Sequence, residues 1–194
     1  MQIIRKLSFY ILSVLLLIFG LYGQDNVEDS KVELNSFIAV NIGPQMSGLK
    51  DEDFISSNYT PLFNVVYGKW ISSQFAYQLG YKGFYFNAIA DNFKHHYNYF
   101  YAEAVLNANN FIDPERISKS WNLLLHLGPG YFYNHTYGKP NVCLNIGAQN
   151  SFQITDKFQL NIDVAAIIGW DIYQGDEDIL PSITVGLTYL FNID

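Results

Sequence analysis

The chain has a single cysteine, Cys143, in 194 residues. One thiol excludes an internal disulfide framework. No cysteine stands directly after the N-terminal apolar stretch, so a lipid-anchored N-terminus is excluded too. Charge is also scarce, at 15% of residues, where an ordinary soluble domain carries about 25%. The 11 basic residues are outnumbered by 18 acidic ones, which argues against a nucleic-acid partner, whose phosphates need a basic face. Beyond the N-terminal stretch no apolar run reaches the ~20 residues of a spanning helix. There is no His-x3-His spacing and no Cys/His cluster, so no transition-metal site is expected. No cofactor motif is present either.

Rings are what the chain has in abundance: 15 Tyr, 15 Phe and 3 Trp. Tyr and Trp suit a water–lipid boundary because each is part apolar and part polar. The N-terminus reads as an address. Arg5 and Lys6 precede an apolar run over residues 7–19, and small residues lead to Gly23. That order is the charged head, apolar middle and small-residue cut of a secretory signal peptide. The expected organisation is a cleaved leader at 1–23, a short segment at 24–31, a barrel at 32–191 and a tail at 192–194. Cleavage removes two of the 11 basic residues and none of the 18 acidic ones, leaving a net charge of −9.

Helical periodicity is weak after the leader. Period-two alternation recurs instead, broken by Gly, Asn, Asp and Pro clusters. The alternating runs are roughly 32–43, 60–70, 74–86, 96–106, 120–134, 141–154, 158–171 and 181–191. In the last run Ile183, Val185, Leu187, Tyr189 and Phe191 share one face, against Ser182, Thr184, Gly186 and Thr188. In the seventh, Phe158, Leu160, Ile162, Val164, Ala166, Ile168 and Trp170 oppose Gln159, Asn161, Asp163 and Gly169. The second, fifth and sixth runs sort the same way.

Two solvents could produce such faces. A soluble barrel turns its apolar face inward; a membrane barrel turns it to lipid and keeps the polar face inside. The polar faces here are mostly small or amide-bearing. A sheet facing water would carry many Lys and Glu, whereas these charges gather outside the runs, as in LKDEDF and QGDEDI. Each run supplies the ~9–11 residues a tilted membrane strand needs. Rings near run ends suggest girdles: Trp70, Trp121, Trp170, Tyr189 and Phe191. The expected fold is therefore all-β: an eight-stranded antiparallel up-and-down transmembrane β-barrel with a filled polar lumen, in the bacterial outer membrane.

The closing stretch TVGLTYLF fits polar-x-Gly-x-x-aromatic-x-aromatic. It resembles the C-terminal signal by which the barrel-assembly machinery recognises its clients, carried here by Gly186, Tyr189 and Phe191. An open barrel edge must be seized before it aggregates. The whole chain from about residue 32 to 191 resembles the OmpA/OmpX-type eight-stranded outer-membrane barrels, especially the stand-alone barrels of Bacteroidetes-type bacteria. The resemblance rests on PLFNVVYGKWISSQFAYQLGYKG, DPERISKSWNLLLHLGPGYFYN and NVCLNIGAQNSFQITDKFQLNIDV. One branch of that family continues into a periplasmic peptidoglycan-binding domain. The chain stops three residues after Phe191, so that function is not expected here. The connection at 107–119 is long for a periplasmic turn. Asp113 and Pro114 could start a helical turn there as N-cap and first residue.

Candidate chemistry lies first in the strand-embedded polar residues Glu33, Lys82, Glu103, His126 and Asp163. A charge in a narrow interior is costly unless paired, and small barrels are filled by side chains. These residues are expected to form a lumen network that plugs the barrel, with Lys82 meeting Glu103 or Asp163. A gated ion path is the sharper alternative. Small barrels also host lipid-modifying enzymes, which need a hydroxyl beside an imidazole. Two residues after His126 stands Gly128, where a His-x-Ser motif has Ser, and no spacing ties His135 to Ser151. No enzymatic activity is expected. His95 and His96 should point to opposite faces. Asp51–Asp53 and Asp176–Asp178 read as solvated loop charge, with divalent bridging to lipopolysaccharide phosphates as the alternative.

The functional expectation is a structural or interaction barrel, serving envelope integrity, adhesion or partner binding. A small pore and a lipid-modifying enzyme are the alternatives. Recognition would lie on the loops at 48–58, 88–94, 135–140 and 172–180. The expected partners are outer-membrane lipid, lipopolysaccharide and the barrel-assembly machinery, with the barrel a monomer and no nucleic acid involved.

Overall fold

The structure is a computed structural model. It describes residues 36–47, 59–88, 93–113, 120–170, 172 and 177–192. The leader at 1–23, the segment at 24–31, Glu33, Asp51, Glu52, Asp53 and Asp176 lie outside the described residues.

Eight antiparallel strands close into a barrel in sequence order, with the last strand pairing the first. They are β1 (Ser36–Gln45), β2 (Thr60–Trp70), β3 (Phe75–Asn87), β4 (Lys94–Asn107), β5 (Trp121–Asn134), β6 (Lys139–Gln153), β7 (Phe158–Trp170) and β8 (Glu177–Phe191). A short helix, α1 (Ala108–Ile112), joins β4 to β5. Closure leaves no unpaired strand edge.

The alternation in the sequence decides which side of the wall each residue takes. On β8 Val185 is 48% exposed and Leu187 51%, while Thr184 is 2% and Thr188 4%. The same inversion runs through β7, where Ile162, Val164 and Ile168 are exposed and Asn161 and Asp163 buried. On β1 Ile38, Val40 and Ile42 are exposed and Asn41 is buried. Burial of the small polar set and exposure of the aliphatic set is the reverse of a water-soluble barrel.

Two hairpin turns at the end holding both termini follow one design. Ser72 Oγ accepts from Gln74 N at 3.2 Å and Phe75 N at 3.1 Å. Thr155 Oγ1 accepts from Lys157 N at 3.3 Å and Phe158 N at 3.1 Å. A hydroxyl that bonds the backbone two and three residues on fixes a tight turn. The third connection at this end is the long one. Asn107 is the N-cap of α1; its side chain accepts from Asn110 N at 3.3 Å, and Asp113 is the C-cap, while the helical turn expected from Asp113 and Pro114 onward falls on 114–119, outside the described residues. Asn109 Oδ1 accepts from Leu123 N at 2.6 Å, and Asn110 Nδ2 donates to Ser73 O at 2.9 Å. Three asparagines thus tie the long connection to β5 and to the neighbouring hairpin.

Glycines on the inner wall make room for rings. Gly80 faces Tyr101 across the β3–β4 ladder, and a Cβ there would lie 2.1 Å from that ring. Gly147 faces His126, where a Cβ would lie 2.4 Å from Nε2. Large side chains lie flat across the bore because the opposing wall position carries none.

Three expectations are corrected. Trp70 does not belong to an outer girdle: it shares the inner phase of Asn64 and Gly68, its ring is 6.3 Å from that of buried Phe37, and it lines an interior cavity. Asp178 is not a solvated loop charge; β8 starts at Glu177, and Asp178 is 1% exposed. The other differences are strand ends: β1, β4 and β6 run about two residues beyond the alternating stretches towards the loops. By contrast Trp121, Trp170, Tyr189 and Phe191 do lie on the outward phase. Phe158, Tyr189 and Phe191 form a ring cluster there, with centroids 5.2 Å and 5.9 Å apart in sequence order.

Candidate functional site

The barrel wall brings four of the five strand-embedded polar candidates into one interior cluster; the fifth, Glu33, lies outside the described residues. His126 on β5 is at its centre. Its Nδ1 is 3.1 Å from both carboxylate oxygens of Glu103, and its Nε2 is 3.0 Å from Asp163 Oδ1. Glu103 on β4 also accepts from Gln78 Nε2 at 2.6 Å and from Asn145 Nδ2 at 2.5 Å. Lys82 on β3, fully enclosed at 1% exposure, donates to Asn145 Oδ1 at 2.9 Å.

Lys82 therefore does not meet a carboxylate directly. Asn145 stands between it and Glu103, its carbonyl turned to the ammonium and its amide to the carboxylate. The Lys82 ammonium also sits 5.5 Å from the centre of the Tyr101 ring, within reach of a cation–π contact. Tyr101 in turn donates from its hydroxyl to Asn64 Oδ1 at 2.7 Å. The cluster thus spans β2 to β7 through the bore.

Charge in this cluster balances. Both ring nitrogens of His126 face carboxylate oxygens, so each donates, and an imidazole with two N–H groups is a cation. Two cations, Lys82 and His126, then offset two anions, Glu103 and Asp163. Buried ions survive only when paired and hydrogen-bonded, and here each has a polar partner.

Rings close the bore on the side away from the termini. Tyr97 and Phe132 stack at 4.8 Å, and Phe86 stacks on His95 at 5.2 Å. All four are at most 1% exposed. Tyr97 donates to Gln45 Oε1 at 2.6 Å, which anchors the stack to β1. On the terminus side a cavity of about 20 Å3 lies beside His126, Gln78, Gln149 and Gln159. That is room for a single water.

These interior rings are the residues sequence reasoning missed. In β4 aromatic side chains occupy both phases, so polarity does not tell in from out. Glycine does: Gly80 and Gly130 sit where Tyr101 and Tyr99 cross.

The remaining candidates stay apart. His95 is buried and His96 exposed, on opposite sides of β4. Ser151 Oγ donates to Gln159 Oε1 at 2.9 Å near the terminus end, whereas His135 stands beyond the opposite end of β5. Both ring nitrogens of His126 are engaged by carboxylates, so neither is free to take a proton from a serine. Among the described residues no group of His, Cys, Asp and Glu converges on a point where a metal ion could sit; Glu103 and Asp163 approach opposite edges of the His126 ring. Gly186 faces Asn41 on the inner wall, while Tyr189 and Phe191 stack on the outside.

No family model and no curated protein sequence matches the chain. Solved structures do. The chain is similar to the crystal structure of Ail, the attachment invasion locus protein of Yersinia pestis, in complex with the heparin analogue sucrose octasulfate. Identity is 16% and the TM-score 0.53, over 82% of this chain and 100% of Ail. Neisserial surface protein A gives a TM-score of 0.52 at 8% identity, over 80% of this chain and 97% of that one. The chain shares with both the fold of a closed eight-stranded antiparallel barrel.

Proposed function

We propose that the protein spans the bacterial outer membrane as a closed barrel whose role is structural or interactive, exerted through its surface loops. One observation carries this reading: the wall exposes Ile, Val, Leu and rings while the bore is filled by a charge-balanced network and capped by stacked rings. Lipid is the solvent in which such an exterior is stable. Side chains packed across the bore speak against the pore. The engagement of His126 by two carboxylates speaks against the lipid-modifying enzyme.

The remaining sequence expectations belong to this proposal. The leader at 1–23 takes the chain across the inner membrane. Gly186, Tyr189 and Phe191 present the last strand to the barrel-assembly machinery, with Tyr189 and Phe191 outward where a receptor can grip them. Glu103, His126, Asp163 and Lys82 plug the lumen, with Glu33 as a further candidate member. The barrel is a monomer in contact with lipopolysaccharide, and its sequence motifs favour a source among Bacteroidetes-type bacteria. Binding of a heparin analogue belongs to Ail. In this chain Asp51, Glu52, Asp53 and Asp176 put negative charge in the loop sequences, which suits a cationic or neutral partner better than a polysulfate.

The test is a cold SDS gel of the detergent-extracted outer-membrane fraction, boiled against unboiled. A mobility shift with heating is expected. A protein recovered in the soluble periplasmic fraction with no shift would overturn the reading.

A further inference from the structure

The described outer wall is mostly apolar, and its longest polar stretch away from the termini is on three neighbouring strands. On β3, β4 and β5, near the end away from the termini, outward residues change character row by row. Tyr81, Phe100 and Tyr131 form one row across the three strands. The next row is Gly83 and Asn98, and the next Tyr85 and His96, with His135 N donating to His96 O at 2.8 Å. Lys94 follows, its ammonium 4.8 Å from the centre of the Tyr85 ring. From Phe100 to Lys94 is roughly 20 Å along the strand.

A groove of about 510 Å3 lies in this gradient, with Tyr81, Phe84, Asn98 and His135 among its lining residues. Two backbone features open it. Gly83 leaves no side chain between Tyr81 and Tyr85. Phe84 occupies an inward register position, opposite buried Leu62 and Tyr97, yet is 52% exposed with φ of 116°. A side chain at positive φ is strained, and here the strain turns a ring out of the bore and onto the groove wall.

The groove is also wired with polar groups. Tyr81 donates from its hydroxyl to Asn98 Oδ1 at 2.7 Å, and Asn98 Nδ2 is 2.8 Å from His135 Nε2. With its carbonyl accepting from Tyr81, Asn98 donates to His135, whose proton is then on Nδ1. No described residue in 79–100 or 129–147 is acidic, although the whole chain carries a net charge of −7. An acidic protein thus brings Lys94, His96 and His135 to one place on the wall, with no carboxylate among the described residues of those two stretches.

We propose that this groove is a binding site for a phosphorylated anionic lipid of the surrounding leaflet. Its phosphate lies against Lys94, His96 and His135, and its acyl chains run down over Phe84, Tyr81 and Phe100. The order of the rows matches the order of such a lipid, charge first and hydrocarbon last. The proposal rests on the membrane-spanning reading above.

The test is native mass spectrometry of the full-length mature protein after refolding into phosphatidylcholine vesicles with phosphatidic acid added, followed by gentle detergent extraction. Retained phosphatidic acid should exceed its share of the vesicle, and the double variant Lys94→Gln/His135→Gln should lose about fivefold of that retention. The control variant Lys69→Gln/Lys157→Gln, at the terminus end, should retain it. Heat-modifiability of each variant shows that it has folded. Parent protein that folds and inserts but shows no preference overturns this proposal alone, as does a preference that survives Lys94→Gln/His135→Gln. Protein that fails to insert at all overturns the membrane reading and this site together.

Discussion

The interior cluster makes a prediction about charge balance rather than about any one contact. Replacing Lys82 by Met keeps the aliphatic stem but removes a cation, leaving Glu103 and Asp163 against His126 alone. Replacing Glu103 by Gln keeps the shape, and its one carbonyl oxygen can still accept from Gln78 or from Asn145 but not from both, and it leaves an excess cation. Each single change strands a buried charge in a bore where Lys82 is 1% exposed and Glu103 4%, so each should cost about 3–5 kcal/mol. The double variant Lys82→Met/Glu103→Gln is neutral again. Its loss should fall short of the sum of the two by about 1–3 kcal/mol, the range for residues sharing one network. The assay is urea unfolding in phosphatidylcholine vesicles, read by the fraction of fast-migrating folded protein on cold SDS gels. Additivity within about 0.5 kcal/mol would show that the two residues do not share a charge account, and the reasoning would fail.

Other expectations follow from the same geometry. Gly80→Ala places a methyl 2.1 Å from the Tyr101 ring and should destabilise the barrel by about 1–3 kcal/mol, measured in the same urea titration; a neutral effect would mean that the ring does not rest on that wall. The parent should show no steady conductance in planar bilayers, whereas Tyr97→Ala/Phe132→Ala, which removes the 4.8 Å ring stack, should raise ion leakage; a conducting parent would contradict a capped bore. Val185→Arg on the outer wall should cost about 2–4 kcal/mol in vesicles, against about 0.5 kcal/mol or less if that surface met water.

Much of the barrel was legible because its code is binary. In β8, β7 and β2 most of the strand alternates between polar and apolar residues, interrupted by inward apolar residues such as Leu180, Ile167 and Leu62, and β2 begins and ends at Thr60 and Trp70 as the alternation says. Trp70 stands near a strand end, but its phase, which matches Asn64 and Gly68, and not that nearness decides its side of the wall. Asp178 was misplaced because a strand that projects past the apolar belt loses its alternation and reads as loop. The role of Asn145 was hidden for a different reason. Which side chains meet across a bore depends on register and strand tilt, and the sequence of one strand carries neither. Phe84 was hidden because its outward turn comes from backbone φ, which alternation does not encode. The groove it borders was missed for the same reason, although HHYNY with a preceding Lys was visible as polar residues on what should be a lipid-facing phase.

The central claim is that the aliphatic face of the wall meets lipid and the small polar face does not. It is tested most directly by placing single cysteines at Val185 and at Thr184 in a Cys143→Ala background, labelling each with a small fluorophore before refolding, and adding acyl-brominated lipid to the vesicles. The label at 185 should be strongly quenched and the label at 184, one residue away, should not. Equal quenching at both positions, or none at 185, would contradict the account.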